Sequence, residues 1–262
     1  MSISIATWNV NSVRSRLAHL LSWLKDGKPD IVLLQELKCT EESFPFMEIE
    51  ELGYNVAIYG EKSYNGVAIL SKFPLNDICR GLSDNEADSQ SRYIEAVVNL
   101  PKGAIRVASV YVPNGQESTS EKFAYKLRFL DKFFHHVKHL LAYEEVLIIG
   151  GDYNIAPHDS DVHAPKEWEG STLTHDEVRK ALRRVFNLGI YDACRVLKAD
   201  GDSEYSWWDY RGNSFASDNG LRIDHLLLSP QAADRLSEYY VKKDLRELDK
   251  ASDHAPVVGV FN

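Results

Sequence analysis

About ten short apolar runs, separated by only three long amphipathic stretches, limit what this 262-residue chain can become. The runs are "SISIATW", "DIVLLQ", "YNVAIYG", "GVAILS", "YIEAVVNL", "IRVASVYV", "VLIIGG", "YSWWDY", "RIDHLLLS" and "APVVGVF". Their length and their β-branched and aromatic content read as strands. Val13, Leu17, Leu20, Leu21 and Leu24 form one stripe at helical spacing, with Asn11 or Ser12 as its cap. Phe123, Leu127, Leu130, Phe134, Val137 and Leu141 form a second, preceded by Ser118 and Glu121 at capping-box spacing. Val178, Leu182, Val185 and Leu188 form a third, with Thr174 and Glu177 at its start and Gly189 at its stop. So many strands per helix do not suit a doubly wound parallel sheet. Short connections, such as "EKSY" between "YNVAIYG" and "NGVAILS", imply antiparallel pairing. The expected fold is α/β, with two mixed sheets packed face to face, helices outside, and one domain over residues 1–262.

A hydrophobic content of 44% supports a core of that size. No apolar run approaches the ~18–20 residues of a membrane span. The start, "MSISIATWNV", lacks the basic and long apolar regions of a signal peptide. Cys39, Cys79 and Cys194 are odd in number and far apart, which favours neither a zinc site nor a disulfide framework. A monomer in a reducing cytoplasm, with no membrane partner, is expected. The net charge of −9 argues against indiscriminate nucleic-acid binding but leaves room for a local basic face.

The polar residues fall where strands end. "SISIATW" leads into Asn9-Val10-Asn11, "DIVLLQ" into Glu36, "IRVASV" into Tyr111-Val112-Pro113-Asn114, and "VLIIGG" into Asp152-Tyr153-Asn154. Asp224 lies inside an apolar run, and Asp253-His254 precedes the last strand. Each has an ordinary reading alone: a turn, a cap or a return to solvent. A carboxylate between Ile223 and Leu226 is harder to explain that way, because burying it is costly unless it is paired. If six strand ends share one edge, these groups converge on one cleft. Their chemistry is specific: carboxylates and Asn side chains offer hard oxygen donors suited to Mg²⁺ or Mn²⁺. A His beside an Asp can stabilise or transfer a proton, and a Tyr can contact an oxyanion. The set suits metal-assisted attack of water on a phosphate ester.

In order along the chain, "ATWNVNSVRSRL", "PDIVLLQELK", "GYNVAIYGEKSYNGVAILSK", "VYVPNG", "GGDYNIAP", "SWWDYRGNSF", "NGLRIDHLLLS" and "SDHAPV" resemble the exonuclease III family of apurinic/apyrimidinic (AP) endonucleases. That family lies within the endonuclease/exonuclease/phosphatase superfamily, and the resemblance covers essentially the whole chain. It implies a four-layer α/β sandwich, a divalent-metal site in a DNA-binding cleft, and cleavage of the phosphodiester 5′ to an AP site in base-excision repair. It also implies 3′→5′ exonuclease, 3′-phosphatase and 3′-phosphodiesterase activity on duplex DNA with blocked 3′ ends, in the cytoplasm at the nucleoid.

The resemblance further implies roles. Glu36 ligands Mg²⁺ (or Mn²⁺), with Asn9 or Asn11 nearby and Asp253 beside the metal; Asp152, Asn154 and His254 complete the candidate metal set. Asp152 activates or orients the attacking water, Asn154 holds that water or the phosphate, and Tyr111 contacts the phosphate. His254, paired with Asp224, stabilises charge on the phosphate or acts as the general base. Trp207 resembles the aromatic wall of the abasic-sugar pocket; Leu221 and Asn11 stand where some relatives carry Trp and Asp. Candidate DNA contacts are Asn11, Arg14, Arg92, Asn114, Lys122, Lys126, Trp207, Arg211, Leu221 and Arg222, with Arg16 adjacent. Competing readings are an inositol-phosphate or sphingolipid phosphodiesterase, a secreted nuclease, and a non-catalytic DNA-binding module. The "SWWDYR" and "GLRID" segments, the N-terminus and the full set of site residues speak against them in turn.

Overall fold

The structure is a computed structural model that describes residues 2–82, 90–199 and 204–262. Its described residues form two six-stranded sheets. The first runs β11 (Leu236–Val241), β12 (Val257–Phe261), β1 (Ile3–Asn9), β2 (Ile31–Gln35), β4 (Val67–Ser71), β3 (Asn55–Tyr59). The second runs β5 (Leu75–Arg80), β6 (Tyr93–Leu100), β7 (Gly103–Tyr111), β8 (Leu147–Asp152), β10 (Asp224–Leu228), β9 (Tyr191–Asp192). One pair at the heart of each sheet is parallel, β1 with β2 and β7 with β8; the other pairs are antiparallel. Parallel neighbours need a crossover, and the helices α1 (Leu17–Asp26) and α3 (Glu121–Leu141) lie on those two connections, while the short α2 (Phe46–Glu50) precedes β3.

Three apolar interfaces separate four layers. Alternate residues of the central strands face opposite ways. Ile5, Leu33, Val107, Ile148 and Leu226 meet between the sheets. Trp8, Val32 and Leu34 face Leu20, Trp23 and Leu24 of α1. Ala108, Val110 and Ile149 face Phe129, Phe133 and Val137 of α3, with Val178 and Leu182 of α4 (Asp176–Phe186). Burial on both faces explains why these strands read as continuous apolar runs.

The expected α/β sandwich is therefore the observed one, with local differences. "YSWWDY" is not a strand. Trp207 makes single bridges to Leu221 and to His254, and Trp208 N–H donates to the Asp253 carbonyl at 3.0 Å. The segment straddles residues leading into β10 in one sheet and β12 in the other, so neither offers it a ladder. Strands β5, β9 and β11 escape the pattern because β5 is mostly exposed and polar, β9 has two residues, and β11 alternates with exposed Ser237 and Glu238. Helix α1 starts after Arg16, not Asn11 or Ser12, whose positive φ angles of 44° and 86° belong to a loop. Ser120 caps α3 by accepting from Phe123 N–H, and His175 caps α4.

Gly150 and Gly151 are inside β8 rather than in a turn. A Cβ at Gly150 would lie 2.7 Å from Leu33 Cδ1 across the inter-sheet space, and one at Gly151 would run into the Val110 carbonyl oxygen of β7. The glycines let the strand carrying Asp152 sit deep. Gly151→Ala should cost about 1–3 kcal/mol, the range for overpacking a dense core. A lower urea midpoint at unchanged slope would register it.

Candidate active site

Strand register assembles the site. In the second sheet Tyr111 of β7 is level with Asp152 of β8, and Asp152 is directly opposite Asp224 of β10. Both carboxylates are buried. His254 comes from the turn before β12 in the other sheet: its Nδ1 is 2.9 Å from Asp224 Oδ2 and its Nε2 is 3.8 Å from Asp152 Oδ2. One ligand-type atom each from Asp152, Asp224 and His254 falls within a 4.8 Å group. Ser206 Oγ donates to Asp224 Oδ2 at 2.6 Å and accepts from the Ile223 and Asp224 amides, fixing that carboxylate from behind. Ser252 Oγ donates to the Asn9 carbonyl, and Trp8 Nε1 to the His254 carbonyl. The turn carrying His254 is thereby clamped to the end of β1.

The first sheet contributes Asn9 and Glu36. Asn9 Nδ2 donates to Glu36 Oε1 at 2.8 Å and to Asp152 Oδ2 at 3.0 Å, joining the two sheets' acids through one amide. Glu36 and Asn154 both take left-handed backbone, φ 51° and 50°. Such conformations are costly for residues with a Cβ and persist where surrounding bonds fix them. Here Ser12 N–H donates to the Glu36 carbonyl, and Asn154 N–H to Asp152 Oδ1. Asn154 Nδ2 donates to the Val112 carbonyl and to Asp152 Oδ2, while its Oδ1 accepts from Asn114 Nδ2 at 3.0 Å.

Charge balance follows from burial. Burial pushes the Asp152 carboxyl up to about 7, with Asp224 and Glu36 adding to that and His254 and Asn9 opposing it. Burial works against a charged His254, but Asp224 and Asp152 outweigh it and lift the imidazole to about 10. For Glu36, burial is outweighed by Lys38 and Asn9, so its carboxyl is held below the usual value. Burial, then the charges of Glu36 and Asp152, drive the Tyr111 phenol well above its ordinary range. The centre is thus an imidazolium beside Asp224 and an Asp152 carboxyl raised toward neutrality, with Glu36 held ionised next to them.

Over residues 6–254 the sequence matches the Endonuclease/Exonuclease/phosphatase family. The chain belongs to this family. It is 34% identical to Exodeoxyribonuclease III of Haemophilus influenzae, over 97% of this chain and 98% of the relative. Its fold is similar to that of the 3′ phosphatase NExo from Neisseria bound to product DNA hairpin, with TM-score 0.95, 37% identity and 99% of both chains covered. It is also similar to an AP endonuclease from Archaeoglobus fulgidus, with TM-score 0.93, 36% identity and 99% of both chains covered.

Within this family frame the remaining candidates divide. Asp253 turns toward Trp207 Nε1 and Asn11 Nδ2, each at 3.0 Å, rather than into the Asp152–Asp224–His254 group. Arg14 and Lys122 are exposed. Arg92 stacks on the Tyr111 ring at 4.7 Å and holds the Tyr111 carbonyl. Arg211 is exposed and paired with Asp209 at 2.8 Å. Arg16 is spent on the carbonyls of Asn11 and Ala251 and on the Tyr210 hydroxyl.

Three expected DNA contacts are corrected by burial. Arg222 has no exposed surface and pairs with Asp161 and Asp192 at 2.8 Å each. Lys126 is equally enclosed, its Nζ among backbone carbonyls. Leu221 lies in a small apolar cluster with Ala156, Val162 and Ile223, behind Trp207. It supports the aromatic wall instead of forming it. Trp168 meets Trp207 edge-on at 5.8 Å.

Two site residues escape sequence reasoning. Lys38 Nζ pairs with Glu36 Oε2 at 2.8 Å and donates to Asn11 Oδ1 at 2.6 Å. Its presence in "LQELK" was the available signal. Ser206 heads the "SWWDYR" segment, but nothing there points to Asp224.

These charges set an alkaline limit. The His254 pKa is raised on folding, so its stabilisation is fully present below the unfolded value of 6.5 and is lost as pH rises through about 10. Asp152 acts oppositely, costing stability as pH rises from 3.8 to about 7. Urea unfolding in EDTA between pH 8 and 11 samples that window, in which Lys126, the buried tyrosines and Cys39 and Cys194 also titrate, so the His254 contribution is the difference between wild type and a His254 variant. His254→Gln should flatten the stability loss over that window; a slope equal to wild type would refute the pairing.

Proposed function

We propose that this chain is a metal-dependent phosphodiesterase of DNA base-excision repair. It cleaves 5′ to AP sites in duplex DNA and removes nucleotides, phosphates and phosphodiester fragments from 3′ ends. The observation that carries this reading is the Asp152–His254–Asp224 arrangement, linked by Asn9 to Glu36 at the rim where the parallel strand pairs of both sheets end. The names of the relatives, an exodeoxyribonuclease, a DNA-bound 3′ phosphatase and an AP endonuclease, support the substrate class.

A divalent cation fits this donor set. Glu36 and Asp152 offer hard oxygens on either side of Asn9, whose amide now bridges them through Nδ2 and would turn its oxygen toward a cation, and Glu36 already attracts the ammonium of Lys38 to its outer oxygen. Mg²⁺, or Mn²⁺ in its place, would be held by Glu36 with Asn9 and the Asp152–Asn154 pair, and would polarise the phosphate. His254 is a weak candidate ligand, because its Nδ1 faces Asp224 and the ring is held protonated. Its role is to neutralise charge on a phosphate oxygen as water attacks phosphorus, with Asp224 and Ser206 fixing the ring. Asp152, bonded to the Asn154 amide, takes a proton from the attacking water. Tyr111, protonated throughout the physiological range, donates to the phosphate. Trp207 and Trp168 wall the sugar pocket. Arg14, Arg92, Lys122 and Asn114 grip flanking phosphates. No helix among the described residues is long and apolar enough to cross a membrane, and the protein acts as a cytoplasmic monomer.

Mg²⁺ with three duplexes, carrying an AP site, a 3′-phosphate nick and a recessed 3′ end, tests the substrate range side by side. EDTA should abolish all cleavage; full activity after exhaustive chelation overturns the metal assignment. Asp152→Asn should slow cleavage at least roughly a hundredfold, the low end for a positioned acid/base group. DNA affinity should hold or rise, since a negative charge near the phosphate is gone. Binding lost in proportion to rate would make Asp152 a structural residue.

A further inference from the structure

Lys126, in the second turn of α3, has no exposed surface. Its Nζ donates to three carbonyl oxygens: Asn154 at 2.7 Å, Thr172 at 2.9 Å and Asn114 at 3.2 Å. Burial pulls the Lys126 ammonium down to about 7; its three carbonyl acceptors match the three N–H bonds of the charged form and favour it over the neutral amine, which has two. The carbonyls belong to three segments: the loop after β7, the loop after β8, and the stretch leading to α4. The loop after β7 closes over the lysine stem, since a Cβ at Gly115 would be 3.2 Å from Lys126 Cδ.

Two of those segments carry the asparagines that brace Asp152. Asn154 holds Asp152 Oδ1 with its backbone N–H and Oδ2 with its side chain, and Asn114 Nδ2 holds Asn154 Oδ1. Asn154 does so in left-handed backbone, a conformation that depends on outside support. The third segment lies beside the aromatic wall: Thr174 Oγ1 and Ser171 N–H both donate to the Trp168 carbonyl.

We infer that Lys126 is a positioning residue: acting through Asn154, it fixes the Asp152–Asn154 pair and ties that pair to the segment bearing Trp168. This rests on the phosphodiesterase reading above. Lys126 never meets DNA, so it should influence the rate of cleavage and not the grip on substrate.

The test is a double-mutant cycle. Lys126→Met keeps the length and removes the donors. Its single-turnover cleavage should fall about tenfold to a hundredfold, as when a remote change misplaces a reacting group. Its DNA affinity, titrated in EDTA, should stay within about twofold of wild type, because phosphate contacts dominate affinity. Combined with Asn154→Ala, it should add little further loss, since residues acting as a unit are non-additive. Losses that multiply would overturn the inference. If Lys126→Met does not fold, Lys126→Arg, which keeps the charge but moves the donors, goes through the same cycle. An activity-independent readout accompanies it: the Asn154 side-chain amide resonance should shift and exchange faster in the variant, while that of Asn55 on the first sheet stays in place. An unmoved Asn154 resonance would also overturn the inference. Wild-type protein that cleaves nothing would instead defeat the functional reading, and the resonance would still decide the positioning role.

Discussion

Two buried carboxylates, Asp152 and Asp224, face each other across adjacent antiparallel strands of one sheet. Such a pair cannot stay ionised in a buried site without a cation between it. His254 is that cation, and it is delivered by the opposite sheet. Much else follows from this need. Ser206 fixes one acid and Asn9 the other, while Ser252 and Trp8 clamp the turn that carries the imidazole. The apolar layer between the sheets keeps the effective dielectric low, so the same charges that must be balanced are strong enough to act on a phosphate.

The protein's acidic balance is compatible with a polyanionic substrate because of how the charge is distributed. Arg222, Lys126 and Arg16 are consumed internally, and Arg211 is paired with Asp209. Arg14 and Lys122 are exposed, Arg92 lies against Tyr111, and Lys38 against Glu36. Occupation of the acidic centre by a divalent ion would reduce the repulsion that an approaching phosphate meets.

The central strands were legible in the sequence because both of their faces are buried, which leaves unbroken apolar runs. Their polar ends were legible for the same reason: Asn9, Glu36, Asp152 and Asp224 interrupt runs that otherwise have no reason to stop. Edge strands β5 and β11 were not, since solvent on one face removes the pattern. The cationic candidates misled most. Nothing in "EKFAYKLRF" distinguishes Lys122, which is exposed, from Lys126, which is sealed. Nor does "GLRID" reveal that Arg222 is fully enclosed by Asp161 and Asp192, one of them 61 residues away. Long-range polar pairing leaves no local signature.

The pairing of β12 with β1 also has a temporal meaning. Ile3 is level with Phe261, so β1 pairs with a segment synthesised long after it. Until residues near 261 have left the ribosome, β1 lacks that neighbour and the imidazole of residue 254 cannot reach the two acids. An emerging chain therefore carries Asn9, Glu36, Asp152 and Asp224 without the cation that makes them useful. Assembly of the centre therefore waits for β12, however early the other strands settle.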